Sequence, residues 1–217
     1  MREIIILSFF CMFLTPQLKL PAETINVGPT RTYTTIQAGI DAAADGDTVI
    51  VDPGTYTGPG NRDIDFLGKA ITVKSDTGPE NCIIDCQATI MELHRGFRFQ
   101  NGEQQDSVLD GLTITNGYAP KEPFETEPFG IIYELSSGGA IFCDGSSPTV
   151  TRCRLLNNFA EVGGGISCYN SNATITKCTI SHNLAGSKGG GISVSNVKSS
   201  RMKYSSEILI GETVNLV

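Results

Sequence analysis

Residues 138–196 spell one pattern twice and begin it a third time. Gly138-Gly139-Ala140-Ile141-Phe142-Cys143 lies over Gly163-Gly164-Gly165-Ile166-Ser167-Cys168 at an offset of 25 residues. The same offset carries Val150-Thr151-Arg152-Cys153 onto Ile175-Thr176-Lys177-Cys178, Leu155 onto Ile180 and Asn158 onto Asn183, and Gly189-Gly190-Gly191-Ile192 opens another unit 26 residues on. A fixed period in this range marks an array whose units bury their apolar faces only against one another.

The interior of the unit decides between helical and strand repeats. Each unit holds three short runs, such as Ala140 to Cys143, Thr149 to Cys153 and Arg154 to Asn157, apolar largely at alternate positions and separated by Gly, Pro, Asn, Asp and Ser. Runs of about four residues between such punctuators are strands. Three strands per unit, each bonded to its counterpart in the next, wind into an all-β solenoid, a parallel β-helix. The pattern turns Ile141, Cys143, Val150, Cys153 and Leu155 inward onto Ile166, Cys168, Ile175, Cys178 and Ile180, about 4.8 Å away. Ile141, Ile166 and Ile192 become one buried column. Asn158 over Asn183 is placed either for an amide ladder at a corner or for two ordinary polar turns.

At the start of the chain, Met1-Arg2-Glu3 precedes an apolar run from Ile4 to Leu14. That is the length of a signal-peptide core and too short to span a bilayer. Residues 1–22 are therefore read as a secretory signal, with Ala22 the best small residue for cleavage, and residues 23–217 as one domain. No other stretch reaches about 18 apolar residues, so no transmembrane segment is expected in the mature chain. Residues 33–46 predict a short amphipathic helix: Thr34-Thr35-Ile36-Gln37 has the Thr-x-x-Gln spacing of a capping box, and Ile36, Ile40 and Ala43 share a face before Gly46. Such a helix plugs the open end of a solenoid. Asp47 to Tyr56 then reads as a first strand and turn, and residues 62–117 as less regular coils, giving roughly six coils in all.

Two stretches carry a family resemblance. Gly138-Gly139-Ala140-Ile141, followed by Leu155-x-x-Asn158, resembles the repeat of the polymorphic outer membrane proteins, with Leu155 and Ile180 where that repeat has Phe. Residues Tyr33 to Tyr56 resemble the amino-terminal start of pectin-lyase-like proteins. The resemblance implies a right-handed parallel β-helix, exported or at the cell surface and outer membrane, with a polysaccharide or cell-surface glycan as partner. It also implies where an enzyme would work: on the outer face of one sheet, lyases using acidic calcium ligands with an Arg or Lys base, hydrolases using clustered carboxylates.

The residues facing out from the Gly-Gly-x-Ile strands are expected to be Phe142, Asp144, Ser167, Tyr169, Ser193 and Ser195, with one carboxylate among them. This favours a non-catalytic module for adhesion or glycan binding over a polysaccharide lyase or glycoside hydrolase. No cofactor is expected, and calcium only under the lyase reading. Residues 117–137 form an inserted excursion with Tyr118, Phe124, Phe129, Tyr133 and four glutamates. Aromatic rings beside acids hold sugars or pin a loop to the barrel, so Phe129 and Tyr133 join Phe142, Asp144 and Tyr169 as candidate binding residues. Asp85 and Asp110, also 25 apart, would share a corner column with Arg152 and Lys177. They are weak candidates for a cation site, the alternative being solvated turns. His94 and His182 have no nucleophile beside them in sequence and read as turn or surface residues.

A net charge of −7 argues against a nucleic-acid partner. The six cysteines after residue 22 lack metal-site spacing. Parallel stacking points neighbouring cysteines the same way, so small inward thiols are expected rather than bridges. Positions 200 to 209 lack the apolar strand, Cys and Asn that the offset would place there, so the array is expected to fail after about Asn196. Residues 197–217 are then a degenerate end of a longer array, or an edge that a partner, such as another β-helix coil, covers.

Overall fold

The computed structural model describes residues 21–126 and 131–196, together with the backbone of three short strands beyond them; the side chains of residues 124–126 and 131–133 lie outside the described set. The proposed signal therefore falls outside the described residues, apart from its last two positions.

The chain winds as a parallel β-helix. Sheet A stacks Thr24–Val27, Thr48–Val51, Thr72–Ser75, Val108–Asp110, Thr149–Thr151, Thr174–Thr176 and Lys203–Tyr204. Sheet B stacks Gly54–Tyr56, Cys82–Asp85, Thr113–Thr115, Arg154–Leu156, Thr179–Ser181 and Leu209–Ile210. Sheet C stacks Ile64–Asp65, Phe97–Phe99, Ile141–Asp144, Ile166–Tyr169 and Ile192–Ser195. Every neighbouring pair in these three sheets is parallel.

The register follows the 25-residue offset. Ile141 pairs with Ile166 and Ile166 with Ile192; Cys143 pairs with Cys168, Val150 with Ile175 and Leu155 with Ile180. These side chains face the tube interior and are buried, except Ile192, which is partly covered. In the lower coils the tube is filled by Phe66, Phe97 and Phe99, with ring centroids 4.7 to 6.5 Å apart. Asn158 and Asn183 form the amide ladder: Asn183 Oδ1 accepts from Asn158 N and Nδ2 at 2.9 and 3.0 Å, and Asn158 Oδ1 accepts from Gly117 N at 2.9 Å. Both are 1% exposed, so each satisfies backbone groups that a corner would otherwise leave orphaned. Close stacking also demands glycine at the boundary, because a Cβ on Gly139 would lie 2.3 Å from the Gly164 carbonyl oxygen one coil above.

Several expectations are corrected. A fourth sheet, of Phe159–Val162, Leu184–Lys188 and Val214–Asn215, lies between sheets B and C in the later coils, so these coils have four strands, not three. Phe159-Ala160-Glu161-Val162 follows Asn158 without a punctuating gap, which hid it. The first strand is Thr24–Val27, ahead of the one expected from Asp47, and it opens the seven-stranded sheet A. The helix spans Ile36–Ala42, and its N-cap is Thr35, which accepts from Ala38 N. Gln37 does not close a box on Thr34. Its amide exchanges hydrogen bonds with the backbone N–H and C=O of Asp65 at 2.9 and 3.0 Å, covering the free edge of sheet C. Residues 117–137 contain an antiparallel hairpin, Lys121–Thr126 with Ile131–Ser136. The array also continues past Asn196: Thr174 pairs with Lys203, Thr179 with Leu209 and Leu184 with Val214. The spacing there stretches beyond 25 or 26 residues, which hid the continuation.

Ile166 lies 1% exposed between two coils, so Ile166→Asp strands an unpaired charge in the tube, at a cost of several kcal/mol. The melting temperature should collapse; an unchanged one would show that the column is not buried. The cysteines at 82, 86, 143, 153, 168 and 178 are free and buried. Burial pushes the Cys82 and Cys86 thiols up to about 12. An alkylating reagent at mildly alkaline pH should modify none of the six in the native protein and all six after denaturation without reductant; protection of a pair in denaturant would reveal a bridge.

Candidate functional site

The outer face of sheet C changes character along the stack. In register, its outward column reads Asp65, Arg98, Phe142, Ser167 and Ser193, because the residues between the inward Phe97 and Phe99, and between Ile141 and Cys143, must point away from the tube. The hairpin brings Glu122 to this face. Its Oε1 accepts from Arg98 Nη1 at 2.9 Å and lies 3.2 Å from Arg95 Nη2. Arg95 is 2% exposed, and its guanidinium carbon sits 4.9 Å from the centre of the Phe142 ring. Among the described residues its Nε and Nη1 find no hydrogen-bond partner. Burial lowers its pKa to about 10, against the opposing pull of Glu122. Beside it, Asp63 accepts from Arg95 N at 2.9 Å and contacts His94 Nδ1 at 2.6 Å. A pocket of about 430 Å³ opens between Asp63, His94, Arg98, Lys121 and Glu122. Partial desolvation, and then the charge of Glu122, raise the Asp144 carboxyl.

A larger groove runs alongside. Tyr118 bridges His94 on one side and Phe159 on the other, extending the fourth sheet by two positions. The Tyr118 and Phe159 rings meet edge to face at 4.5 Å. They floor a cavity of about 760 Å³, whose walls include Ile90 and Leu93 from the loop after sheet B, Lys121, Glu134 and Leu135 from the hairpin, and Glu161. The hairpin is held there by Ser136, whose N–H donates to Glu161 Oε2 at 3.1 Å and whose hydroxyl donates to the Ala119 carbonyl at 2.7 Å. Leu93 and Lys121 line both the groove and the charged pocket, so the two lie side by side.

The sequence candidates are scattered by this arrangement. Phe142 faces outward but is 7% exposed beneath Arg95, which corrects its reading as an open binding surface. Asp144 is exposed, and Tyr169 is partly exposed with its hydroxyl accepting from Asn196 Nδ2 at 2.9 Å. Phe129 lies outside the described residues; Tyr133 pairs with Phe124 through the backbone, and its side chain lies outside them. The proposed corner column is not one column. Asp85 belongs to sheet B, where it accepts from Asn116 Nδ2 at 2.9 Å, whereas Asp110 belongs to sheet A and pairs with Arg152 through Nε at 2.8 Å. The register aligns Asp110 with Thr151, not with Arg152, and a carboxylate neutralised by a guanidinium is a poor cation ligand. His182 is a corner residue with φ of 56°. His94 is no simple surface residue, since it joins Asp63. The sequence reading missed Arg95, Arg98, Glu122, Phe159 and Glu161 as site residues. Only Arg98 was visible in principle, as the outward member of Phe97-Arg98-Phe99.

The model of the right-handed beta helix region matches residues 59–212. The chain belongs to the right-handed beta-helix family. No curated protein matches it in sequence. Among solved structures it is similar to a pectin methylesterase in complex with a hexasaccharide, with a TM-score of 0.52 at 12% identity, covering 87% of this chain and 66% of the other. It is also similar to the pectin methylesterase of Aspergillus niger, with a TM-score of 0.41 at 16% identity, covering 89% and 68%. The chain thus spans just under two thirds of the first neighbour's length, and at these identities the likeness is one of fold. The pectin-lyase-like β-helix fold expected from the sequence is the one observed.

A buried cation with unpaired nitrogens opposes folding unless its partners repay the desolvation. Arg95→Met keeps the apolar contact with Phe142 and removes the unpaired N–H groups, so this β-helix should lose no stability, with a change in unfolding free energy within about 1 kcal/mol or in its favour. A large fall in denaturation midpoint would show that the ion pair with Glu122 holds the hairpin down.

Proposed function

We propose that this β-helix is an exported, non-catalytic module that binds a polysaccharide along the groove beside the hairpin. The observation that carries this reading is the Tyr118–Phe159 platform at the floor of the groove, with Lys121, Glu134 and Glu161 on its walls. A sugar ring has an apolar face of C–H groups and a rim of hydroxyls. It fits a site that offers an aromatic face below and charged hydrogen-bonding groups at the sides. The groove is partly open to solvent, and the first structural neighbour holds a hexasaccharide. The apolar run at residues 4–14 supports export, and a secreted or cell-surface location goes with that reading.

Binding should fall at least about tenfold in Tyr118→Ala and in Phe159→Ala, the equivalent of about 1.4 kcal/mol, with melting temperatures close to the parent. Affinity electrophoresis through gels containing soluble polysaccharides measures this. Unchanged retardation of folded variants would remove the groove from consideration.

A second reading rests on the gathering of Asp65, Arg98, Glu122 and Asp144 on or beside the outer face of sheet C, which is more charge than the sequence reading allowed that face. Under it the chain is a polysaccharide lyase or glycoside hydrolase. Release of reducing ends or unsaturated products from anionic polysaccharides, with and without added calcium, decides between the two.

A further inference from the structure

Among the described residues, Glu23 is the first whose backbone is hydrogen-bonded. Its C=O accepts from Thr48 N at 2.9 Å, and its N–H donates to Asp47 Oδ1 at 2.7 Å. Pro21 and Ala22, immediately before it, are exposed and belong to no strand. Asp47 is 7% exposed. Its other oxygen, Oδ2, accepts from Ala44 N at 2.8 Å, in the turn that follows the helix Ile36–Ala42. The bonds from Glu23 and then from Ala44 hold the Asp47 carboxyl below the usual carboxylate range. The carboxylate is thus ionised and nearly buried, but both groups bonded to it are neutral amides. Lys69 acts on it only from a distance, since its ammonium donates to the carbonyls of Ile40 and Asp41 at 2.7 and 3.0 Å. Asp45, in the same turn, accepts from Ala70 N at 2.9 Å, and the side chain of Glu23 is exposed. Asp47 is therefore an anion aimed at the nitrogen of residue 23, with no cation of its own in contact among the described residues.

We propose that residues 1–22 are removed by hydrolysis of the Ala22–Glu23 peptide bond, and that Asp47 is the receptor for the α-ammonium group this creates on Glu23. This rests on the chain's being exported, and it adds the position of the cut and what the cut does to the fold. Two independent observations meet at the same bond: Ala22 is the small residue after the apolar run, and Glu23 is where hydrogen bonding to the first coil begins. Hydrolysis, by the peptidase that trims exported leaders, consumes one water. The Ala22 carbonyl carbon takes the hydroxyl and departs as a carboxylate, while the Glu23 nitrogen keeps its hydrogen, gains a second and is protonated to an ammonium. That nitrogen already lies 2.7 Å from Asp47 Oδ1, so a hydrogen bond from a neutral amide becomes a charge-assisted one without movement of the strand. The new pair forms where the first coil is joined, because Glu23 leads into Thr24–Val27, Ala44 follows the helix and Asp47 leads into Thr48–Val51. A chain starting one residue earlier would carry its charge on Ala22, about 3.3 Å further along the strand direction and away from Asp47.

The full 217-residue chain is expressed in an exporting host, and the first residue of the product is read by mass spectrometry. It should be Glu23. A product that keeps residues 1–22 overturns the proposal together with the export reading, whereas an exported product that begins at another residue overturns the proposal and leaves export standing. The exported protein is then titrated, with the α-nitrogen and Cα resonances of Glu23 followed by NMR. The α-amine pKa should lie at least about one unit above its ordinary value of about 8, because a carboxylate in contact favours the charged form. Asp47→Asn should return it to that value. An ordinary pKa in the parent protein, or a raised one that survives Asp47→Asn, overturns the pairing. Should Asp47→Asn fail to fold, the parent protein serves: the Asp47 carboxyl ¹³C resonance must move with the same midpoint as the α-amine, and an Asp47 resonance that does not respond overturns the pairing.

Discussion

Everything in this molecule depends on parallel strands stacking in register from coil to coil. The tube is narrow, so an inward residue is buried largely against its counterparts above and below, and in the regular coils from residue 138 on those counterparts repeat in polarity and closely in size. This is why Ile141, Ile166 and Ile192 align, why Cys143 repeats at Cys168, and why Asn158 meets Asn183. The amide ladder is the polar version of the same rule, since each side chain accepts from a backbone donor of the coil below, and Asn158 donates in turn to Asn183 of the coil above. Glycine at the boundary follows as well, because backbones stacked this closely leave no room for a Cβ where the corner turns.

The hairpin is the departure from this rule that creates the groove. Among the described residues its two strands pair with each other, and it lies against the outer faces of sheet C and the fourth sheet through polar contacts that include Glu122 to the two arginines and Ser136 to Ala119 and Glu161. By covering those faces it encloses a groove that the solenoid alone would leave as a flat wall. The covering also buries Arg95, whose pKa falls because the charged form loses water without gaining a full set of partners. Natural chains tolerate such local costs at places where activity requires them.

The fold was legible where the period holds. Alternation and offset identified the inward residues of residues 138–196 with their register, because stacking makes the sequence repeat what the structure repeats. Legibility failed wherever the spacing drifted. The strand at Phe159–Val162 was lost because Asn158 is both corner and neighbour. The coil beyond Asn196 was lost because its spacing stretches. The column of Asp85 and Asp110 was a coincidence of number: residues 25 apart share a column only if no insertion intervenes, and the first coils do not keep that period. The site was less legible still. Its parts come from Asp63, Arg95, Tyr118, Glu122 and Phe159, separated in sequence and united only by the hairpin's placement, which no periodicity encodes.

The distribution of charge along sheet C has a physical cause that links these observations. In a regular solenoid an outward residue faces copies of itself about 4.8 Å above and below, and stacked like charges destabilise a sheet. A strict repeat therefore selects small or neutral residues for its outer face, as Ser167 and Ser193 show. Opposite charges can stack only where successive coils differ, as Asp65 and Arg98 do. The charged pair in the outward column of sheet C, Asp65 and Arg98, thereby falls in the irregular coils before residue 122, the part of the chain from which the hairpin springs, while the regular coils beyond keep small residues in that column.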